Sequence, residues 1–235
     1  MVKHWLELGI FIACLIFGAY VSSLLLGFCG VSVNDSPIQV NGYIVATILT
    51  QTVMFVGAVI SFFLITKLDW KSYISINSID KKQLIQTALF FSVAFLIALG
   101  FSQLAGPIES YFEGHSWLVH QHQITKSQNE VMGSLRGVKI GLALLFFAVL
   151  PAIAEELVFR GILYKILKDL SSRKHLAMIL SAFIFAIFHF QILSFLPIFV
   201  VGYLLAYLYD KTGNIATGML LHFLFNAIQI VFWQA

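Results

Sequence analysis

Apolar blocks of about 20 residues alternate with short polar segments along the chain, which is the pattern of membrane-spanning helices. Segments of about ten residues with alternating polarity, which an outer-membrane β-barrel needs, do not occur. We therefore predict an all-α fold, a polytopic transmembrane bundle of seven to eight helices. The predicted spans are residues 5–28, 43–66, 84–104, 139–165, 176–196, 197–209 and 215–233.

Two spans decide between seven helices and eight. The fourth, 139–165, is long, and Pro151 removes one backbone hydrogen bond and can divide it into two helices. The sixth, 197–209, is short for a span, so we expect it to begin earlier, to be tilted or to be half-buried. Residues 105–138 form the longest polar stretch and are predicted to be a loop.

Positive charges predict the orientation of the chain. Four lysines lie between residues 67 and 82 and three basic residues between 168 and 174, whereas the intervening loops carry none, except 105–138. Short loops rich in lysine and arginine face the cytoplasm. We therefore expect a cytoplasmic N-terminus in a bacterial cell membrane. No repeat or linker appears, so we assign one integral membrane domain, 1–235, with a motif-bearing core at about 138–235.

The composition agrees with a membrane protein. Of the 235 residues, 60% are hydrophobic and only 11% are charged, whereas a soluble domain carries roughly 25% charged residues. The net charge of +3 forms no basic stripe with interleaved aromatic residues, so we expect no nucleic-acid partner. Cys14 and Cys29 lie near opposite ends of one predicted helix and cannot form a disulfide along it.

A group of charges lies inside the fourth span, in the stretch P-A-I-A-E-E-L-V-F-R-G from 151 to 161. Glu155, Glu156 and Arg160 would together cost roughly 7–10 kcal/mol of insertion energy if they acted independently. Such residues need a partner or a function. Glu156 and Arg160 stand four residues apart in the favourable order for an ion pair on one helix face, which leaves Glu155 free to point elsewhere.

Three further polar residues lie inside later spans: His189, His222 and Asn226. A helical rise of about 1.5 Å per residue places them and Glu155 in one slab, roughly 13–20 Å from the cytoplasmic ends of their helices. Small residues on the same flanks allow close helix approach: Ala182 and Ala186 before His189, and Gly218 before His222. We therefore predict that three helices bring these polar groups together.

These groups suit hydrolysis of an acyl bond, most simply a peptide bond. Glu155 in a water-poor pocket would be a strong base once ionised and, beside His189, could hold a water and remove its proton. His222 and Asn226 are donors of the kind that stabilises an oxyanion. Serine catalysis is disfavoured, because no acidic residue is spaced to complete a triad with a nearby serine.

The same side chains also form a ligand set for catalytic zinc, namely Glu155, His189 and His222. In that arrangement the general base would have to be Glu156, which is already assigned to Arg160. We therefore prefer water activation without a cofactor and keep zinc or another divalent metal as the alternative.

Three motifs in this order resemble the CAAX-protease and bacteriocin-processing (CPBP/Abi) family of intramembrane endopeptidases, and in particular type II CAAX prenyl proteases. They are Glu155-Glu156-x-x-x-Arg160, Phe185-x-x-x-His189 and His222-x-x-x-Asn226. The resemblance implies a helical membrane fold with a site open towards the cytoplasm. It implies Glu155 and His189 as water activators, and His222 with Asn226 as oxyanion stabilisers. Phe185, Glu156 and Arg160 would be supporting residues.

The leading hypothesis is therefore an intramembrane endopeptidase that acts on a membrane-associated protein or peptide, lipidated or not. The alternative is a non-catalytic bacteriocin-immunity or scaffold protein that holds a peptide in the same cavity. A proton-coupled transporter is less favoured, because no pseudo-repeat and no paired broken helices appear. The expected partners are membrane lipid and the membrane-associated substrate.

Overall fold

The computed structural model describes residues 2–31, 40–135 and 139–234, and within these ranges it contains helices and turns but no strand. This confirms the predicted all-α helical bundle. The helices are α1 (Val2–Phe28), α2 (Asn41–Thr66), α3 (Trp70–Tyr73), α4 (Lys81–Tyr111), α5 (Ser116–Ser134), α6 (Ile140–Ser171), α7 (Lys174–Ile187), α8 (Phe195–Thr212) and α9 (Ile215–Gln234).

Five helices in the described part of the chain are long and apolar enough to cross a membrane: α1, α2, α4, α6 and α9. The protein is therefore an integral membrane protein. α7 is a shorter apolar helix, and α8 covers the predicted sixth span and begins slightly before it, at Phe195. The orientation of the chain in the membrane stays a prediction.

The predicted fifth span, 176–196, is wrong at its C-terminal end. α7 ends at Ile187, and a turn from 188 to 194 leads into α8. Phe190 in this turn has a φ of 51°, a left-handed conformation that does not continue a helix. The 14 residues of α7 give a length of about 21 Å, less than the ~30 Å of the bilayer core. His189 therefore lies on the turn after α7 and not within a membrane-spanning helix.

The predicted loop 105–138 is mostly helical, which corrects the interpretation of its polar composition. α4 continues past Pro107 to Tyr111, and α5 follows, while residues 136–138 lie outside the described residues. Polarity indicates exposure to water and does not by itself exclude a helix. α5 lies against the turn after α7, because the side-chain oxygen of Gln121 accepts a 2.9 Å hydrogen bond from the backbone N–H of Ile192.

α6 does not break at Pro151. It runs without interruption, and wide, π-helical turns at Leu145–Val149 and Leu157–Leu163 flank the proline and the two glutamates. α2 contains a similar wide turn at Thr50–Val56. Such turns interrupt the regular hydrogen-bond ladder and are frequent at functional sites. The two helices that carry them are therefore candidates for the frame of a functional site.

Two glycines allow neighbouring helices to pack closely around this frame. A Cβ atom on Gly18 of α1 would lie 2.9 Å from the carbonyl oxygen of Met54, in the wide turn of α2. A Cβ atom on Gly202 of α8 would lie 3.3 Å from the Cα atom of Ala182 on α7. The small-residue flank predicted on the fifth span therefore does face a neighbouring helix.

Candidate active site

Glu155 and Glu156 lie in the packed interior of the bundle, at the end of the regular stretch between the wide turns of α6. Their exposed fractions are 7% and 0%. Successive residues of a helix point about 100° apart, so the two carboxylates meet different neighbours. Glu155 contacts α2, whereas Glu156 contacts α9.

Glu156 forms the ion pair with Arg160 that the spacing predicts. Nη1 of Arg160 donates to Oε1 of Glu156 at 2.8 Å, and Nη2 donates to the carbonyl oxygen of Gly202 at 2.8 Å. Both charged side chains are fully buried. Nδ1 of His222 lies 3.0 Å from the same Oε1. The ion pair therefore connects α6 to both α8 and α9.

Gly218 provides the space for the Glu156 carboxylate. A Cβ atom at this position would lie 2.9 Å from Oε2 of Glu156, closer than side chains normally approach. We expect Gly218→Ala to displace the carboxylate and to lower the free energy of unfolding by about 1–3 kcal/mol. Unfolding by SDS titration in mixed micelles measures the change.

Gly100→Ala on α4 is the matched control for this substitution. Its added carbon meets no atom within 4 Å, so the helix should gain rather than lose stability. Equal free energies of unfolding for the two alanine variants would contradict the close contact between Gly218 and Glu156.

Glu155 faces one amide and two imidazoles. Its Oε1 accepts a 2.7 Å hydrogen bond from Nε2 of Gln51 on α2. Its Oε2 lies 3.9 Å from Nε2 of His189 and 3.8 Å from Nε2 of His222. Both distances are too long for a direct hydrogen bond. Oε2 is thus a buried oxygen without a hydrogen-bond partner among the described residues.

The other ring nitrogens determine what the two imidazoles can do. Nδ1 of His189 must donate to the backbone oxygen of Phe185, 2.7 Å away, because a carbonyl can only accept. Nδ1 of His222 donates to the Glu156 carboxylate for the same reason. In a neutral ring Nε2 then carries a lone pair. Three acceptors therefore face one another, namely Oε2 of Glu155 and the Nε2 atoms of the two histidines. A proton or a water molecule must supply the missing donor.

Phe185 packs against Arg160 of the ion pair and against both imidazoles. Its ring centroid lies 4.5 Å from that of His189 and 5.8 Å from that of His222. Cζ of Arg160 lies 4.4 Å from the same centroid, a distance at which a cation is attracted to an aromatic face. The residue named as supporting in the motif therefore contacts three members of the site.

For two of the predicted roles, the described residues show no supporting contact. Asn226 lies one turn after His222, is half-buried and makes no side-chain hydrogen bond within the described residues, so its part in an oxyanion site stays a prediction. The alternative ligands Glu155, His189 and His222 do not form a group of three placed to hold a metal ion in the described ranges. Metal analysis of the purified protein is the direct test of that alternative.

Gln51 is the site residue that the sequence analysis missed. It is an amide inside an otherwise apolar span and lies 104 positions before Glu155. The signal used for the histidines, a polar side chain within a predicted span, applies to it equally. Its partner was not predictable, because no helical spacing relates residues on α2 to residues on α6.

Comparisons with known proteins agree with the motifs. Residues 137–228 match the family model described as type II CAAX prenyl endopeptidase Rce1-like, which confirms the family that the motifs indicated. No solved structure matches the chain.

One curated relative is the uncharacterized protein YpbD of Bacillus subtilis (strain 168), which is 33% identical over 89 residues. The alignment covers 36% of this chain and 42% of that protein, so the chain spans less than half the length of this relative.

Proposed function

We propose that this protein is an intramembrane endopeptidase that hydrolyses a peptide bond in a membrane-associated protein or peptide. One observation carries the proposal. Oε2 of Glu155 is buried, lies 3.8 and 3.9 Å from two imidazole nitrogens, and accepts no hydrogen bond within the described residues. A water molecule held there would donate to a carboxylate that is otherwise ready to accept its proton.

The charges of the site favour one protonated imidazole. Two carboxylates and Arg160 leave one negative charge uncompensated, which is costly in a low-dielectric interior. A proton on His222 balances this charge, because the ring lies 3.0 Å from Glu156 and 3.8 Å from Glu155. His189 then stays neutral and keeps a lone pair on Nε2, since its Nδ1 is bound to a backbone oxygen.

Glu155 and His189 would act on one water molecule. The water donates its hydrogens to Oε2 and to Nε2 of His189, and its oxygen attacks the scissile carbonyl as a proton passes to Glu155. Protonated His222, with Asn226 one turn away, would donate to the oxyanion that forms. The proton on Glu155 then passes to the leaving amine. Water is thereby added across the peptide bond, and the carboxylate regains its charge.

The proposed substrate class comes from the family description, a protein or peptide that ends in a prenylated CAAX sequence. A lipid chain on the substrate suits a site inside the bilayer. Each buried methylene of such a chain contributes about 0.8 kcal/mol to membrane binding, which concentrates the neighbouring peptide bond at the membrane.

Comparative peptidomics of membranes tests the function. Membranes without the protein, with the wild-type protein and with Glu155→Gln are compared, and a peptide ending in a prenylated CAAX sequence is added to each. We expect new C-terminal fragments and cleavage of the added peptide only with the wild-type protein. The same fragments with Glu155→Gln would contradict the proposal and favour the immunity or scaffold function.

A further inference from the structure

Gln51 binds the carboxylate on which the proposed function depends, and it lies outside the region that matches the family model. It sits in the wide turn of α2 and is 7% exposed. Its Nε2 is 2.7 Å from Oε1 of Glu155, a short distance for an amide donor. Hydrogen bonds to an ionised acceptor are roughly twice as strong as those between neutral groups.

This hydrogen bond restricts the rotation of the Glu155 carboxylate. The last torsion of a glutamate side chain is broad, so an unrestrained carboxylate turns readily about it. With Oε1 held from α2, Oε2 is directed towards Nε2 of His189 and Nε2 of His222. The amide thus determines the plane in which the free oxygen meets the imidazoles.

Interhelical attachment alone does not account for the burial of this amide. Oε1 of Gln51 is buried and has no hydrogen-bond partner among the described residues, and leaving such an acceptor unpaired is unfavourable. A side chain selected only to join two helices would satisfy both of its ends. Within the described part of the chain, the one hydrogen bond of this side chain goes to Glu155.

We infer that Gln51 is a positioning residue of the active site, which holds the Glu155 carboxylate so that Oε2 receives the proton of the attacking water. The inference rests on the proposed function. The ionisable groups that face Glu155 are His189 and His222, whereas Glu156 and Arg160 on its own helix bind each other.

Gln51→Met tests the inference, because methionine has a similar length and no hydrogen-bonding amide. On a peptide ending in a prenylated CAAX sequence, with protein in proteoliposomes, we expect kcat to fall about 10–100-fold and KM to change less than about threefold.

Gln128→Met on α5 is the matched control. It removes another amide that joins two helices, since Nε2 of Gln128 donates to the Tyr43 hydroxyl at 3.2 Å. We expect its kcat and KM to equal those of the wild type. Thermal unfolding measures how much of the Gln51→Met protein is folded. If a loss of folded protein accounts for the lower rate, Gln51 has a structural role and the inference is overturned.

The outcomes separate this inference from the proposed function. A wild-type kcat in Gln51→Met, with Glu155→Gln inactive, would overturn the inference alone. Wild-type activity in Glu155→Gln would overturn the proposed function, and the inference with it.

Discussion

Replacing Glu155 by glutamine is expected to lower kcat by about 10²–10⁴-fold while the protein still folds and inserts into the membrane. Glutamine has nearly the same shape, and its side-chain oxygen can still accept the hydrogen bond that Gln51 donates. An amide, however, cannot take a proton from water. The measurement is cleavage of a peptide ending in a prenylated CAAX sequence by purified protein in proteoliposomes.

Glu7→Gln is the matched control for this loss of activity. Glu7 is also a glutamate with 7% exposure, but it lies on α1 and pairs with Lys3 and His4 near the N-terminus. We expect Glu7→Gln to keep the wild-type kcat. If both variants lost activity equally, the effect would belong to the loss of any buried carboxylate and not to catalysis by Glu155.

Arg160→Met is expected to have the largest effect on stability, lowering the free energy of unfolding by about 3–5 kcal/mol. The substitution leaves the buried Glu156 carboxylate without its counter-charge and the carbonyl of Gly202 without its donor. Methionine keeps part of the packing against Phe185, so most of the loss should be electrostatic. Adding Glu156→Gln removes the unpaired charge, and the double variant should recover part of the stability.

Lys168→Met provides the comparison for a pair at the surface. Lys168 lies 2.6 Å from Asp210, but 45% of its side chain is exposed. We expect its free energy of unfolding to fall by less than about 1 kcal/mol, because water screens the ion pair. SDS titration in mixed micelles measures the free energy of unfolding of Lys168→Met and of Arg160→Met. Similar losses of unfolding free energy in the two variants would show that burial does not increase the contribution of the Glu156–Arg160 ion pair to stability.

The charged part of the site could be predicted because charges in an apolar span need partners. The four-residue spacing of Glu156 and Arg160 predicts their ion pair, which the structure forms at 2.8 Å. The place of His222 between the two glutamates was not predictable. It depends on the rotation of α9 about its axis, which turns both Gly218 and His222 towards the glutamates.

The end of α7 shows where sequence patterns stop being informative. No glycine or proline follows Ile187 until Pro197, so hydropathy alone extends the span to 196. The left-handed backbone of Phe190 ends the helix earlier, and the contact of Gln121 with Ile192 holds the turn from α5. The second feature is a tertiary contact, which a pattern of single residues does not encode.

In the proposed mechanism Glu155 and His189 act as one unit on the same water molecule. The decisive measurement is the kcat of the Glu155→Gln/His189→Gln double variant beside those of the two single variants, in proteoliposomes. We expect the double variant to be no more than about threefold slower than the slower single variant, because residues that act as a unit lose their effect together. A loss equal to the product of the two single losses, or a wild-type kcat in Glu155→Gln, would contradict the claim.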